Sequence, residues 1–457
     1  MAWRSSCFGI NAIPLSRGTR AAVAGIIDHP FDELSRIRAG FSTNRTAMKY
    51  NLSPWREYIV VNAVENGSIT SPRGFAADAV AAAIKYEGRL DLGLIVSEQP
   101  ALVAGMFTRN AVRSAPVMLS SRRVARGQAR AVIVNSGCAN ACTGERGLRD
   151  AEEMTALVAA RLGATPEEVL VASTGVIGTF VPLDRVARAI ATMRPDRTKG
   201  HEFAQAIMTT DTTRKEIALA GKVNNTSFTI GAAAKGSGMI HPNMGTMLSF
   251  ITTDAAIEPS FLSQALSRCV DRTLNMVTVD GDTSPSDTVL LLANGLAGNP
   301  VLDQSNGAEF EAALSQVCTY LARAIAADGE GATRLLQVTV TGARSMDDAR
   351  CAARTIASSA LVKAAINGAD PNWGRVVCAA GRSGAVMDPD TVSMTLCGTP
   401  VMSRGMPVAF DDQALRASLQ LDTVEVNVDL ALGTGCATAW GCDLSHDYVT
   451  INASYTT

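Results

Sequence analysis

The chain has 457 residues, of which 47% are hydrophobic and 18% charged, so it is long enough and apolar enough to bury a large core. Its formal net charge is −2 at pH 7, and the absence of a basic stripe argues against nucleic acid as a partner. No apolar run reaches the roughly 18 residues of a membrane-spanning helix, so no membrane is expected as a partner. The ten cysteines are scattered and only four histidines are present, which predicts reduced thiols and no metal site.

The first 45 residues differ in composition from the rest of the chain. Arg4, Arg17 and Arg20 precede the first acidic residue, Asp28, and several Ser and Ala residues surround them. Such a segment, rich in Arg and Ser and poor in acids, is typical of an organellar transit peptide. We therefore predict a transit peptide over residues 1–45 and a mitochondrial matrix location, with the plastid as the alternative. A disordered or wrongly assigned N-terminal extension is the competing interpretation.

Beyond this segment, short β-branched runs alternate with amphipathic segments, which predicts an α/β fold. The predicted strands are 92–97, 131–135, 169–173, 227–233, 248–252, 288–292 and 336–341. The predicted helices are 76–86, 149–162, 183–193, 259–273, 307–327 and 345–365. Short strands are expected again in the C-terminal stretch.

A loop rich in Gly, Ser, Pro and Asn lies just past the middle of the chain and ends at Thr246, before the segment 247–253, which predicts a buried strand. A threonine is a good nucleophile when its own α-amine is free, which for an internal residue requires cleavage of the preceding bond. The Thr246 hydroxyl can itself attack the carbonyl of Gly245, which has no side chain to hinder the approach. Cleavage would give an α chain over 46–245 and a β chain over 246–457. An ordinary loop before a strand is the alternative.

Further motifs occur between about residue 65 and the C-terminus. They are 91–96, 104–108, 135–144, 173–178, 208–212, 280–283, 328–333, 367–375, 439–443 and 451–457. Together with the loop at 235–248, and in the same order, these motifs resemble those of the ornithine acetyltransferases, the glutamate N-acetyltransferase family of the cyclic arginine pathway. The resemblance implies a sandwich of two stacked β-sheets flanked by helices, self-cleaved into α and β chains that assemble as α2β2 or a multiple of it.

The resemblance also implies an N-acyltransferase that moves the acetyl group of N2-acetylornithine to glutamate through an acetyl ester on Thr246. It implies small-molecule substrates and no metal or organic cofactor, with acetyl-CoA only as an alternative acetyl donor. In the matching positions Thr246 is the nucleophile, and Thr174 and Gly175 form the oxyanion hole. The substrate-binding positions are Thr209 (or its neighbour Thr210), Lys235, Thr246, Glu330, Asn452 and Thr457.

The residue types in these positions fit such chemistry. N-acetylornithine carries a carboxylate and a distal ammonium, so its site needs a cation and an anion, for which Lys235 and Glu330 are the candidates. Gly245 replaces the alanine that usually precedes the nucleophile in the family, and both residues are small enough for cleavage. A self-processing aminopeptidase or amidohydrolase, in which water resolves the acyl-enzyme, is the alternative enzyme. An uncleaved binding protein of the same fold is the alternative without enzymatic activity.

Overall fold

The computed structural model describes residues 62–241 and 247–454. The predicted transit peptide, Gly245, Thr246 and Thr457 lie outside the described residues. Within the described ranges the helices are α1 (Ala115–Val124), α2 (Gly144–Leu162), α3 (Leu183–Thr192), α4 (Gly200–Ala206), α5 (Pro259–Arg272), α6 (Ala308–Ala327), α7 (Met346–Ala357), α8 (Ala360–Asn367), α9 (Trp373–Gly381), α10 (Asp412–Ser418) and α11 (His446–Ser454). None of these helices is both long and apolar enough to cross a lipid bilayer.

The strands in the same ranges form two mixed sheets. They are β1 (Asn62–Ala63), β2 (Phe75–Val80), β3 (Leu92–Phe107), β4 (Gln128–Cys138), β5 (Val169–Val176), β6 (Lys215–Val223), β7 (Thr226–Lys235), β8 (Leu248–Thr253), β9 (Thr288–Ala293), β10 (Leu335–Ala343), β11 (Ser393–Leu396), β12 (Thr399–Ser403), β13 (Met406–Pro407), β14 (Thr423–Asp429) and β15 (Gly435–Cys442). The larger sheet has the order β1-β6-β7-β8-β9-β3-β4-β5, with β2 paired to β3. The smaller sheet has the order β13-β12-β11-β14-β10-β15.

Helix α6 connects the two sheets. It packs against β6 and β7 of the larger sheet and against β10 and β15 of the smaller one. Apolar residues of both sheets and of α5, α6 and α7 form one continuous core, because each element buries its apolar face against the others. The predicted α/β fold with two stacked sheets and helices is confirmed.

Strand β8 lies inside the larger sheet and begins two residues after Thr246. All six of its residues are buried, and it pairs antiparallel with β7 and parallel with β9. The strand is therefore covered on both faces, and Ser249, Thr252 and Thr253 are buried together with its three apolar residues. Because β7 precedes Gly245 and β9 follows it, the two chains produced by cleavage would share one sheet and one core. Separating them would expose that core to water.

All seven predicted strands overlap observed ones, but two predicted helices differ from the structure. The helix predicted over 76–86 is wrong, because Phe75–Val80 is strand β2. Alanine favours a helix only weakly, and pairing with the buried β3 overrides that preference. After β2, the carboxylate of the buried Asp91 accepts hydrogen bonds of 2.6 Å from the amides of Ala82 and Ile84, which holds this segment as a loop.

The helix predicted over 345–365 is broken into α7 and α8. The break lies at Ser358 and Ser359, and the side chain of Ser359 accepts a hydrogen bond from the amide of Val362. Serine favours such N-terminal caps, so this residue starts a second helix instead of continuing the first.

Candidate active site

One pocket brings together most of the residues predicted for the site. Its lining includes Thr174, Gly175, Thr209, Thr210, Lys235, Glu330 and Asn452. Gly245, Thr246 and Thr457 lie outside the described residues, but Met247, which follows Thr246 directly in the chain, lines the same pocket. The fold therefore gathers side chains that lie far apart in the sequence, such as those of Thr174 and Asn452.

Thr174 and Gly175 lie near the end of β5, where this strand runs parallel to β4. Gly175 is opposite Gly137 in the ladder and has a φ of +125°. A Cβ at this position would lie 2.4 Å from the carbonyl carbon of Gly137, so only glycine fits here. The Nζ of Lys235 is 3.5 Å from the Oγ1 of Thr174, so a cation and a hydroxyl converge in the pocket.

Lys235, at the end of β7, is only 7% exposed. In the described part of the chain its ammonium forms no ion pair with a carboxylate. Burial lowers the pKa of Lys235, and the nearby Asp211 carboxylate only partly opposes this shift. A buried cation without a close ion-pair partner is destabilising, and a ligand that supplies an anion reduces this cost. Lys235 is therefore well suited to bind a carboxylate of a substrate.

A buried charge cluster, which the sequence analysis did not single out, positions these residues. The Nζ of Lys215 lies 2.7 Å from Asp211 Oδ1 and 2.5 Å from Asp328 Oδ2. The Asp211 carboxylate also accepts hydrogen bonds from the amides of Thr209 (2.9 Å) and Gly236 (2.7 Å). Burial alone would raise the pKa of Asp211, but the Lys215 and Lys235 ammonium groups outweigh it and hold that pKa well below its usual range.

We expect Lys215→Met to lower the free energy of unfolding by about 3–5 kcal/mol, because it leaves Asp211 and Asp328 buried without their cation. Urea denaturation measures this loss, and Lys222→Met, which changes an exposed lysine of the same strand, is the control. The Asp211 pKa is depressed, so its contribution is present above the unfolded value of 3.8 and is lost as the pH falls toward the folded value. The difference between the two variants should therefore shrink in acid. Equal stability of both variants at neutral pH would contradict this account.

Glu330 supplies the predicted anion of the pocket. Its Oε2 accepts a hydrogen bond of 2.8 Å from Nδ2 of Asn452, which is carried by α11. A Cβ on Gly238 would lie 2.4 Å from the Glu330 carboxyl carbon, so the carboxylate packs directly on the backbone there. Tyr448, also on α11, lines the pocket, and burial together with the Asp280 and Glu330 carboxylates raises its pKa to about 12.

Asp280 anchors the described start of the loop that leads to Thr246. Its two carboxylate oxygens accept hydrogen bonds from the amides of Met239 (2.6 Å) and Ile240 (2.8 Å). Burial raises the pKa of Asp280 in spite of these bonds. The carboxylate thus fixes the backbone at Met239 and Ile240, shortly before the segment 242–246.

Asp287 is a further carboxyl group in the lining of the pocket. It is 1% exposed and comes immediately before β9. Its Oδ2 has no hydrogen-bond partner in the described part of the chain, and burial raises its pKa well above the usual value. The next amide, of Thr288, donates to the carbonyl of Met247 at 2.9 Å. A buried carboxyl group therefore lies beside the start of β8.

The pocket thus contains hydroxyl groups, buried cations and a carboxylate with an amide partner, arranged on an α/β frame. Such a lining is that of an enzyme acting on a small charged molecule. In the two described ranges no three His, Cys, Asp or Glu residues are arranged to hold a metal ion.

Comparison with known proteins gives the family. The model of the ArgJ family matches residues 76–457. The chain is 48% identical over 401 residues to the arginine biosynthesis bifunctional protein ArgJ of Dehalococcoides mccartyi, covering 87% of this chain and 99% of that protein. It is 50% identical over 399 residues to the protein of the same name from Symbiobacterium thermophilum, covering 86% and 99%. The chain belongs to the ArgJ family, and the resemblance predicted from the motifs is confirmed.

A crystal structure of the ArgJ protein from Bacillus halodurans is also similar to this chain. The sequence identity is 46%, the match covers 46% of this chain and 100% of that one, and the TM-score is 0.45.

The predicted location in a mitochondrion or plastid is wrong. The relatives are bacterial proteins, and bacteria contain neither organelle. An N-terminal segment rich in Arg and Ser is not specific to transit peptides, because any solvated segment tolerates that composition. The segment on which the prediction rested, residues 1–45, lies outside the described residues.

Proposed function

We propose that this chain is a self-processing acetyltransferase of arginine biosynthesis, which transfers the acetyl group of N2-acetylornithine to glutamate. The observation that carries the proposal is the convergence of Thr174, Gly175, Lys235 and Glu330 on a pocket that Met247 borders. Membership of the ArgJ family, with relatives named as bifunctional proteins of arginine biosynthesis, supports it further.

In the processing step, the Thr246 hydroxyl attacks the carbonyl carbon of Gly245 and the peptide nitrogen leaves as the α-amine of Thr246. Water then hydrolyses the resulting ester, which gives an α chain that ends at Gly245 and a β chain that begins with Thr246. The hydrogen bonds from Met239 and Ile240 to Asp280 support this step, because they hold the backbone that leads to the scissile bond.

In the transfer step, the Thr246 hydroxyl attacks the acetyl carbonyl of N2-acetylornithine and its own α-amine accepts the proton. The Thr174 hydroxyl and the Gly175 amide donate to the oxyanion, and the Lys235 ammonium beside Thr174 also favours negative charge there. The amine of ornithine takes a proton and leaves. The α-amine of glutamate then attacks the acetyl ester, which forms N-acetylglutamate and restores the Thr246 hydroxyl.

Substrate recognition follows from the charges in the pocket. Lys235 binds the α-carboxylate, and Glu330, held by Asn452, binds the distal ammonium of the donor. Thr209 and the C-terminal Thr457 add hydrogen bonds from their hydroxyl groups. These polar contacts fix the position of the acetyl group relative to the nucleophile.

The proposed mechanism uses no metal ion and no organic cofactor, and acetyl-CoA serves as a second acetyl donor to the same hydroxyl. The cleaved chains remain associated through the sheet they share and assemble as α2β2 or a multiple of it. The pairing of β7 with β8 across the cleavage site supports this association.

Release of ornithine from N2-acetylornithine, with and without glutamate, tests the proposal. We expect release to depend strongly on glutamate, with one N-acetylglutamate formed for each ornithine and with ping-pong kinetics. An amidohydrolase would release ornithine and acetate at the same rate whether or not glutamate is present. That result would replace the transferase by a hydrolase, and no release under either condition would exclude both enzymes.

A further inference from the structure

The proposed reaction requires one pocket to accept two amino acids with opposite distal charges. The donor side chain carries an ammonium group throughout the reaction, because the acetyl group is on the α-nitrogen, whereas the acceptor, glutamate, carries a distal carboxylate. Both substrates have an α-carboxylate, for which Lys235 is suited, but the Glu330 carboxylate attracts only the donor side chain and repels that of glutamate. A second cation is therefore needed for the acceptor.

Arg89 is a cation of the required kind. It lies in the loop before β3, is half-buried and lines the same pocket as Lys235 and Glu330. Its Nη2 donates hydrogen bonds to the carbonyl oxygens of Met208 at 2.7 Å and Thr209 at 3.0 Å. These two bonds hold the guanidinium next to Thr209, which the family resemblance assigns to substrate binding.

The charge of Arg89 is only partly offset in the described part of the chain, by the nearby Asp91 carboxylate. Both of its acceptors are uncharged carbonyl groups, and its guanidinium forms no ion pair with a described carboxylate. Asp91, the nearby acid, uses its carboxylate for the amides of Ala82 and Ile84. The N–H groups on Nε and Nη1 of Arg89 have no acceptor among the described residues, so they are available for a carboxylate ligand.

Asp211 does not form an ion pair with Arg89 either. Asp211, which holds the amide of Thr209, has its carboxylate in the buried ion pair with Lys215. A fixed guanidinium at the wall of a substrate pocket, with no ion pair to a described carboxylate, is preorganised to bind an anion at small entropic cost.

We propose that Arg89 binds the side-chain carboxylate of the acceptor glutamate and so determines the acceptor specificity of the second half-reaction. This inference rests on the proposed function. It assigns the distal charge of the donor to Glu330 and the distal charge of the acceptor to Arg89, while Lys235 serves the α-carboxylate of both.

Arg89→Met tests this assignment, because in a ping-pong reaction kcat/KM for each substrate reports only its own half-reaction. In the purified, cleaved variant, kcat/KM for glutamate should fall about tenfold to a hundredfold, as for the loss of one charged contact. The exchange of labelled ornithine into N2-acetylornithine, measured without glutamate, should be unchanged. Preference for glutamate over glutamine should also decrease, and Arg89→Lys should restore part of it.

Arg122→Met, which changes an exposed arginine of α1 outside this pocket, is the matched control and should retain wild-type values. Unchanged kcat/KM for glutamate in Arg89→Met would overturn the inference. An equal loss of rate in both half-reactions would overturn it too. That result would mean that Arg89 only stabilises the backbone at Met208 and Thr209. Failure of the wild-type protein to exchange ornithine would instead refute the proposed function.

Discussion

Thr246→Ala should give a single uncut chain without acetyltransferase activity, a loss of roughly a thousandfold or more in kcat. The reason is that one hydroxyl serves both reactions: it opens the Gly245 peptide bond and later carries the acetyl group. Denaturing electrophoresis measures the first effect, and formation of N-acetylglutamate measures the second.

Thr246→Ser is the matched control for this variant. It keeps the hydroxyl and, after cleavage, the α-amine, so we expect partial processing and partial transfer. Two fragments in the Thr246→Ala variant would mean that a separate protease cuts the chain, and transferase activity in that variant would remove Thr246 from the mechanism.

Lys235→Met should lower kcat/KM for N2-acetylornithine about tenfold to a hundredfold, because the substrate carboxylate loses its charged partner. The free energy of unfolding should change little, because removing the costly buried ammonium is offset by the loss of its favourable interaction with the Asp211 carboxylate. Steady-state kinetics and thermal denaturation of the cleaved variant measure the two effects.

The exposed lysine of β6 provides the control, as Lys222→Met should keep wild-type kinetics. Wild-type kinetics in a correctly cleaved Lys235→Met variant would exclude Lys235 from the site. A fall in kcat in addition to the change in kcat/KM would show that the ammonium also stabilises the oxyanion beside Thr174.

The sequence predicted the parts of the fold whose pattern is local. The run at 248–253 contains Leu248, Phe250 and Ile251 with β-branched threonines after them, and such a short run directly after a turn-rich loop predicts a buried strand. The segment 76–86 misled the prediction because its alanines favour a helix, whereas its state depends on pairing with β3. The sequence of the segment alone does not show that it will pair with another strand.

In the site, too, local motifs could be predicted, whereas contacts between distant parts of the chain could not. Motif resemblance assigned Thr174, Gly175, Lys235 and Glu330, and the structure places all four in one pocket. The cluster around Lys215 was missed because it depends on a carboxylate 113 residues away in the chain.

Arg89 was missed for a related reason. Its position is fixed by the carbonyl oxygens of Met208 and Thr209, which every residue type provides, so the side chains of these residues give no signal. Only the folded chain shows that this arginine reaches the pocket and forms no ion pair with a described carboxylate.

Intact mass spectrometry of the purified protein, incubated with N2-acetylornithine alone and then quenched in acid, tests the central claim most directly. We expect a chain that begins at Thr246 and carries one acetyl group, located on Thr246 by fragmentation, and we expect glutamate to remove that group before quenching. An uncut chain, or a cut chain whose Thr246 never gains the acetyl group, would contradict the account.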